Sequence, residues 1–210
     1  MLYIDQSIKK YIEDLSAKLP APGGGSVAAL TGALAAGLIS MVCNFTIGNP
    51  RFSDSQEECR GMLSSVSGIK DELSKLIDED VRVYGKVSLA YKLPKETEEQ
   101  KIKRAIAVQK ALKEAIQVPQ QVLRLSFQIL EFSARLVEIG NPGLITDTGM
   151  AAILSHSAME SALFNVEINL SNIDDREFVE KTRCALNPLM EKGRKIKEEV
   201  VAKVKEAIIK

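Results

Sequence analysis

The 210-residue chain has little of what nucleic-acid-binding surfaces are built from. It contains no tryptophan, and aromatic residues make up only 5% of the sequence, which weakens any case for stacking on bases. Its 28 basic residues balance its 28 acidic residues, so no net positive charge attracts a polyanion. We therefore expect no nucleic-acid partner.

Histidine and cysteine are equally scarce. His156 is the only histidine, so neither a histidine-built metal site nor a histidine-based catalytic triad is expected. The three cysteines are widely spaced, odd in number and without a Cys-x-x-Cys pair, which is typical of a reducing compartment. The mixed-charge, amphipathic start of the chain is unlike a secretory signal peptide. We expect a cytoplasmic protein that binds no metal.

Charge is also missing locally, because no residue from 19 to 50 is charged. The most apolar part of this segment, residues 27–43, has only the minimum length of a membrane span. It is rich in small and hydroxyl residues and lacks flanking lysine or arginine, which membrane helices commonly carry. We expect a helix buried among other helices, and no membrane partner.

Helical periodicity dominates the chain, and no alternating pattern with hairpin turns indicates a strand. We predict about six helices, covering residues 5–19, 25–47, 54–92, 97–139, 147–170 and 174 to the C-terminus. Asp5, Asp174 and either Thr146 or Asp147 are the expected caps, and Pro119 should break the fourth helix near Gln117. The prediction is an all-α, up-and-down bundle that forms a single domain over residues 1–210.

The most informative motif is the loop before the predicted second helix. It reads Pro20-Ala21-Pro22-Gly23-Gly24-Gly25-Ser26. Consecutive glycines let a backbone come close to a ligand, and the free N–H groups of a helix N-terminus suit an anionic or electron-rich group. Glycine-rich turns also precede helices without binding anything, and this one lacks a phosphate-loop lysine and a preceding strand. The pattern leaves both interpretations open.

Asp80 stands out on the predicted third helix. Residues at alternating steps of three and four, from Cys59 to Ala90, form a seam in which Asp80 is the only charged member. A carboxylate on an apolar seam is costly unless it is paired or hydrated. It is either a paired structural residue or a cavity-lining base that can also neutralise a cation.

A second candidate carboxylate follows another glycine loop. Asp147 is the only charged residue between positions 139 and 159, and it comes just after Gly140-Asn141-Pro142-Gly143. It is either a plain helix cap or part of a site in which the two glycine loops meet at one end of the bundle. Asn165 and Asn169 share a helix face, and they either bond a neighbouring loop or recognise a polar heterocycle.

Several segments, in order along the chain, resemble the cyclodeaminase/cyclohydrolase family. That family includes the cyclodeaminase domain of formiminotransferase-cyclodeaminase and stand-alone methenyltetrahydrofolate cyclohydrolases. The resemblance spans nearly the whole chain, so it is more specific than any single motif. The segments that carry it are residues 20–29, 91–95, 118–119, 140–141, 147 and 164–170. Thr146 stands where the family usually has serine, and the neighbours of Asp80 are bulkier than usual.

The resemblance implies an all-helical homodimer that acts on a tetrahydrofolate-linked one-carbon unit without a metal or other cofactor. It implies hydrolysis of 5,10-methenyltetrahydrofolate to 10-formyltetrahydrofolate. The alternative is a 5-formimidoyltetrahydrofolate cyclodeaminase that releases ammonia, and a non-catalytic helical scaffold is the third hypothesis. The sequence shows no formiminotransferase domain, which favours the cyclohydrolase; the cyclodeaminase would work with a separate formiminotransferase.

The residues singled out above supply candidate parts for this reaction. Asp80 is expected to be the base or the group that stabilises the cation, and Asp147 the second carboxylate or an orienting group. The folate substrate is expected to contact the glycine loop, three asparagines and two lysines. These predicted binding residues are Pro22, Gly23, Gly24, Gly25, Ser26, Asn141, Asn165, Asn169, Lys92 and Lys95. The two lysines would attract the glutamate tail, or they are simply solvated.

Overall fold

A computed structural model describes residues 2–209, in which the chain is helical and contains no strand. The α-helices are α1 (Ile8–Ser16), α2 (Gly24–Thr46), α3 (Gln56–Tyr91), α4 (Glu98–Ala115), α5 (Gln117–Ile139), α6 (Ile145–Leu170) and α7 (Arg176–Ile209). Short 3-10 helices cover Tyr3–Asp5, Pro50–Ser55 and Pro142–Leu144. The predicted all-α fold is confirmed, and the break predicted near Gln117 separates α4 from α5.

The bundle is organised around α2 and α6. These two helices lie side by side between α3 and α7, and α5 packs against the pair from one side. They are antiparallel, because a Cβ atom added to Gly24, at the start of α2, would lie 3.8 Å from Asn165 Nδ2, near the end of α6. At the other end, the backbone N–H of Asn141 donates to Thr46 Oγ1 at 3.0 Å.

The uncharged helix α2 belongs to the core. In residues 2–209 it is the one helix long and apolar enough to cross a membrane, yet half of its most hydropathic window is buried by the rest of the chain. It packs against α3, α5 and α6. This is the burial expected of the core helix that the sequence predicts.

Helix α3 carries the predicted seam. Of its apolar members, Val87 alone is only partly buried. The buried members are Cys59, Met62, Val66, Ile69, Leu73, Leu76, Val83 and Ala90. The alternating spacing of three and four therefore does indicate the inner face of α3, and it places Asp80 on that face.

Two predicted helix caps are wrong by one or two residues. Ser7, not Asp5, caps α1, because Ser7 Oγ accepts a hydrogen bond from the backbone N–H of Lys10 at 3.1 Å. Asp175, not Asp174, caps α7, since its Oδ1 accepts from a first-turn backbone N–H at 3.0 Å. In both cases two neighbouring residues have suitable side chains, so sequence alone does not choose between them.

Gly32 lies where α2 packs closely on α3 and α5. A Cβ atom added there would lie 2.8 Å from Ser126 Oγ and 3.2 Å from a methyl group of Leu73. We expect Gly32→Leu to lower the free energy of unfolding by about 3 kcal/mol, the upper part of the range for overpacked cores. Urea denaturation checks this against Gly68→Leu, because a Cβ at Gly68 meets no atom within 4 Å. Equal unfolding midpoints for the two variants would contradict the close packing of α2.

Candidate active site

One cleft gathers most of the residues singled out in the sequence. It has a volume of about 360 Å³, within the size range of small-molecule sites. It opens where the start of α2, the second half of α3, the α4–α5 junction and the end of α6 meet. Its lining residues are Pro20, Ala21, Gly23, Gly24, Gly25, Asp80, Val83, Tyr84, Val87, Tyr91, Leu112, Ala115, Pro119, Asn165, Ile168, Asn169 and Asn172. Asp80 is the only charged residue among them.

The carboxylate of Asp80 lies against the N-terminus of α2. Its Oδ2 accepts a hydrogen bond from the backbone N–H of Ser26 at 3.0 Å. A Cβ atom at Gly25 would lie 2.0 Å from Asp80 Oδ1, so only glycine leaves room for the carboxylate there. Burial raises the pKa of Asp80, and the Ser26 N–H opposes this only in part. The result is a proton acceptor whose negative charge no cation in the cleft neutralises.

Some residues of the glycine loop are buried in the fold, and others line the cleft. Ser26 is fully buried, and its hydroxyl lies 2.9 Å from the hydroxyl of Tyr11. Pro22 is also buried and, like Ser26, does not line the cleft. First-turn N–H groups lack helical acceptors, and Asp80 takes that of Ser26. The N–H groups of Gly24 and Gly25 are the ones left for a ligand.

Three asparagines of α6 and the turn after it line the opposite wall. Asn165 Nδ2 donates to the carbonyl of Ser161 at 2.8 Å, and Asn169 Nδ2 donates to the carbonyl of Asn165 at 2.7 Å. Asn172, which the sequence analysis missed, bonds the carbonyl of Ile168 in the same way at 2.9 Å. Since each amide nitrogen is engaged by backbone, the side-chain oxygens remain available as acceptors for N–H groups of a heterocycle.

The sequence analysis also missed two aromatic residues of the cleft. Tyr84 and Tyr91 both line it. They follow Asp80 by four and eleven residues, which places them on the same face of α3. That spacing was a usable signal. The two rings provide flat, amphipathic surface beside the carboxylate.

The two predicted lysines do not line the cleft. Lys92 and Lys95 are exposed in the turn after α3, directly after Tyr91, which does line it. Neither lysine forms an ion pair with another residue of the described part of the chain. They are close to the cleft in sequence, and a ligand would reach them only by extending beyond it.

Asn141 and Asp147 lie at the opposite end of the bundle. Asn141 is bonded to the last turn of α2 through Thr46, whereas the cleft is at the first turn. Asp147 precedes Asn165 by 18 residues, or about 27 Å along α6. The expectation that the two glycine loops meet is wrong within one chain, because each loop precedes one helix of an antiparallel pair.

Asp147 is not a helix cap either. Helix α6 begins at Ile145 with Leu144 in the cap position, and neither Asp147 nor Thr146 caps it. The side chain of Asp147 forms no ion pair or hydrogen bond with the residues from 2 to 209. Its helix-capping interpretation is therefore wrong.

His156 is not part of the cleft. It is 6% exposed on α6, and burial lowers its pKa. Within residues 2–209 no group of three or more His, Cys, Asp or Glu side chains is arranged to hold a metal ion.

The sequence and the fold both have known relatives. A sequence model of the formiminotransferase-cyclodeaminase family matches residues 7–188. The methenyltetrahydrofolate cyclohydrolase of Methylorubrum extorquens is 33% identical over 97% of this chain and 98% of its own length. The formimidoyltransferase-cyclodeaminase of rat is also 33% identical over 91% of this chain, which spans only 35% of that longer protein.

A solved structure matches over the whole bundle. The formiminotetrahydrofolate cyclodeaminase of Thermotoga maritima superposes with a TM-score of 0.79 at 30% identity, covering 97% of this chain and 96% of that chain. The resemblance identified from the sequence is thereby confirmed. On both sequence and fold, this chain belongs to the formiminotransferase-cyclodeaminase family.

Proposed function

We propose that this protein is a methenyltetrahydrofolate cyclohydrolase, which adds water to 5,10-methenyltetrahydrofolate and forms 10-formyltetrahydrofolate. The observation that carries the proposal is Asp80, a single uncompensated carboxylate in an otherwise uncharged cleft. The substrate has a positive charge delocalised over N5, the bridging carbon and N10, which such a carboxylate stabilises. The end-to-end match to the Methylorubrum cyclohydrolase supports this choice.

The carboxylate of Asp80 has the chemistry that the reaction needs. It takes one proton from the attacking water while the oxygen bonds to the bridging carbon. The protonated Asp80 then gives that proton to N5 as the carbon–N5 bond breaks. The remaining hydroxyl proton goes to solvent as the formyl carbonyl forms on N10. A carboxyl group whose pKa is raised by burial is suited to both proton transfers.

The cleft provides complementary groups for the rest of the folate. The free N–H groups of Gly24 and Gly25 can bond the pterin carbonyl, and the oxygens of Asn165 and Asn169 can accept its N–H groups. Tyr84 and Tyr91 flank the path from the reacting carbon toward the mouth of the cleft. The glutamate tail then extends beyond the cleft toward Lys92 and Lys95.

A second candidate function is formimidoyltetrahydrofolate cyclodeamination. The fold similarity to the Thermotoga cyclodeaminase over nearly all of both chains favours it. Here N10 attacks the carbon of the protonated formimidoyl group (an amidinium), Asp80 takes the N10 proton and passes it to the departing NH2 group, and the carbon–nitrogen bond breaks as ammonia leaves and the methenyl cation forms. This reaction would depend on a separate formiminotransferase as a partner. The name of the rat relative places a transferase and a cyclodeaminase in one protein.

The proposed enzyme acts as a homodimer in the cytoplasm, with residues 1–210 as one domain. As the resemblance implies, the proposed enzyme uses neither a metal nor a bound cofactor beside its folate substrate. The balanced charge of the chain gives no reason to add a nucleic acid or a membrane to its partners.

The test is a direct assay of both reactions. Purified protein is mixed with 5,10-methenyltetrahydrofolate, and the loss of near-ultraviolet absorbance is followed against the spontaneous rate. Enzyme-dependent decay to 10-formyltetrahydrofolate supports the cyclohydrolase. Absorbance gain and ammonia release from 5-formimidoyltetrahydrofolate, without decay in the first assay, supports the cyclodeaminase. Silence in both assays from folded protein overturns both and leaves the helical scaffold.

A further inference from the structure

One arginine is held at the outer end of the cleft. Arg104 is half-buried on α4. Its Nε donates a hydrogen bond to the carbonyl of Tyr91 at 3.1 Å, and its guanidinium carbon lies 5.5 Å from the centre of the Tyr91 ring. Because Tyr91 lines the cleft, these two contacts hold a positive charge at the edge of the cleft. A guanidinium that is already stacked and bonded loses little further freedom when it binds a ligand.

The two terminal nitrogens of Arg104 are not used by the described part of the chain. Neither forms a hydrogen bond or an ion pair with another described residue. The nearby basic side chains of α3 differ, because Arg82 is paired with Glu79 and Lys86 with Glu114. Arg104 therefore presents two adjacent donor groups, the fork that matches the two oxygens of a carboxylate.

The cleft extends from Asp80 toward Arg104. Its lining residues on α3 begin at Asp80 and end at Tyr91, about 16 Å apart along the helix. On α4, Leu112 lines the cleft, and Arg104 lies two steps of four residues before it on the same helix face. A ligand that reacts at Asp80 and extends along the cleft therefore brings its far end to Arg104.

The length of a folate fits this path. Its far end is a glutamate, which carries the anionic groups of the molecule. By standard bond lengths, the first glutamate carboxylate lies about 11 Å from the bridging carbon when the benzoyl group and its amide are extended. With the bridging carbon beside the Asp80 carboxylate, the glutamate comes to the level of Tyr91.

We infer that Arg104 binds a carboxylate of the substrate's glutamate and makes the cleft prefer folates to pterins that lack one. This inference rests on the function proposed for the Asp80 cleft. Lys92 and Lys95 attract the same tail, but both are exposed in the turn after α3, and each would lose rotamer freedom on binding. Arg104 is already held in place, so it provides the directed contact.

The kinetic consequence follows from the distance between Arg104 and the reacting carbon. The glutamate does not change as water adds to the bridging carbon, so its contact with Arg104 is equally strong in the ground state and the transition state. Loss of such a contact raises KM and leaves kcat nearly unchanged. If Arg104 only held Tyr91 in place, its loss would affect substrates with and without a glutamate alike.

Kinetics with two substrates tests the inference. One is 5,10-methenyltetrahydrofolate, and the other is the corresponding methenyltetrahydropteroyl amide, which ends in a neutral amide where the glutamate is attached. Arg104→Gln is expected to raise KM for the folate about tenfold or more, and to change KM for the amide by less than about twofold. Wild type should prefer the folate by a similar factor. An unchanged KM for the folate, or an equal rise for both substrates, overturns the inference.

Two further variants separate a directed contact from general attraction. Lys103→Gln removes the same charge one position earlier, where Lys103 is exposed and paired with Glu99, and KM should stay near the wild-type value. Arg104→Lys keeps the charge without the fork, so it should restore only part of the lost affinity. Full recovery in Arg104→Lys, or an equal loss in Lys103→Gln, would mean that charge alone attracts the tail and would overturn the directed contact.

A binding measurement distinguishes failure of this inference from failure of the proposed function. Calorimetric titration with 5-formyltetrahydrofolate requires no turnover, and its dissociation constant should rise about tenfold in Arg104→Gln. Equal dissociation constants in wild type and Arg104→Gln overturn the role of Arg104, even if the wild type is an active cyclohydrolase. A wild type that converts neither candidate substrate overturns the proposed function instead.

Discussion

Asp80→Asn is expected to reduce turnover more than a hundredfold while the protein remains folded and melts at the same or a higher temperature. The loss corresponds to about 3 kcal/mol of transition-state stabilisation. Asparagine can still accept the Ser26 N–H, but it can neither take a proton nor neutralise the substrate cation. Steady-state kinetics with the methenyl substrate, together with thermal unfolding, measures both effects.

The raised pKa of Asp80 also predicts how the melting temperature of Asp80→Asn, relative to wild type, changes with pH. Because burial raises the pKa of Asp80 in the folded state, its contribution to stability is fully present below the unfolded pKa, about 4. This contribution to stability is lost as pH rises through the pKa that Asp80 has in the folded state. Asparagine does not ionise, so the variant should gain in melting temperature relative to wild type as pH rises over that window. The turnover of wild type should rise with pH between the unfolded and folded pKa values of Asp80. The residual turnover of Asp80→Asn should show no such rise.

Asp78→Asn is the matched control. Asp78 is two residues earlier on α3, and its carboxylate accepts the backbone N–H groups of Tyr3 and Ile4 outside the cleft. We expect normal turnover and a small loss of stability. Similar turnover losses in both variants, or near-normal turnover in Asp80→Asn, would remove Asp80 from the mechanism.

Part of the site can be predicted from the sequence, because helical spacing is a local property. The seam of α3 predicted the inward position of Asp80, and the same spacing extends to Tyr84 and Tyr91, although it was not used there. The glycine loop was predicted to let the backbone come close to another group, and at Gly25 the backbone does lie close to the carboxylate of Asp80. Such features follow from neighbours within a few turns of one helix.

Other features depend on which helices become neighbours, and spacing does not contain that information. Asp147 was placed in the site because its loop is similar to the glycine loop before α2, but α2 and α6 are antiparallel and the two loops lie at opposite ends of the bundle. Ser26 was expected to face the ligand, yet its hydroxyl turns toward Tyr11 of α1. Tyr11 itself is the only buried residue of α1. Tertiary contacts decide these positions.

Gly25→Ala is expected to lower turnover although it replaces no catalytic group. The added methyl would lie 2.0 Å from Asp80 Oδ1, far inside contact distance, so the carboxylate must leave its position at the N-terminus of α2. We expect at least a tenfold loss of turnover, about 1.4 kcal/mol, and a loss of about 1–3 kcal/mol in unfolding free energy. Gly68→Ala on α3 is the control, because its Cβ meets no atom within 4 Å, and it should leave turnover unchanged.

A double-mutant cycle separates this clash from a general weakening of the loop. In an Asp80→Ala background the carboxylate is gone, so adding Gly25→Ala should cost little further stability. The two effects should therefore be strongly non-additive, as expected for residues in direct contact. Urea unfolding of the four proteins gives the coupling energy. Additive stability losses, within about 0.5 kcal/mol, would mean that Gly25 is needed for the conformation of the loop and not for the space that the Asp80 carboxylate occupies.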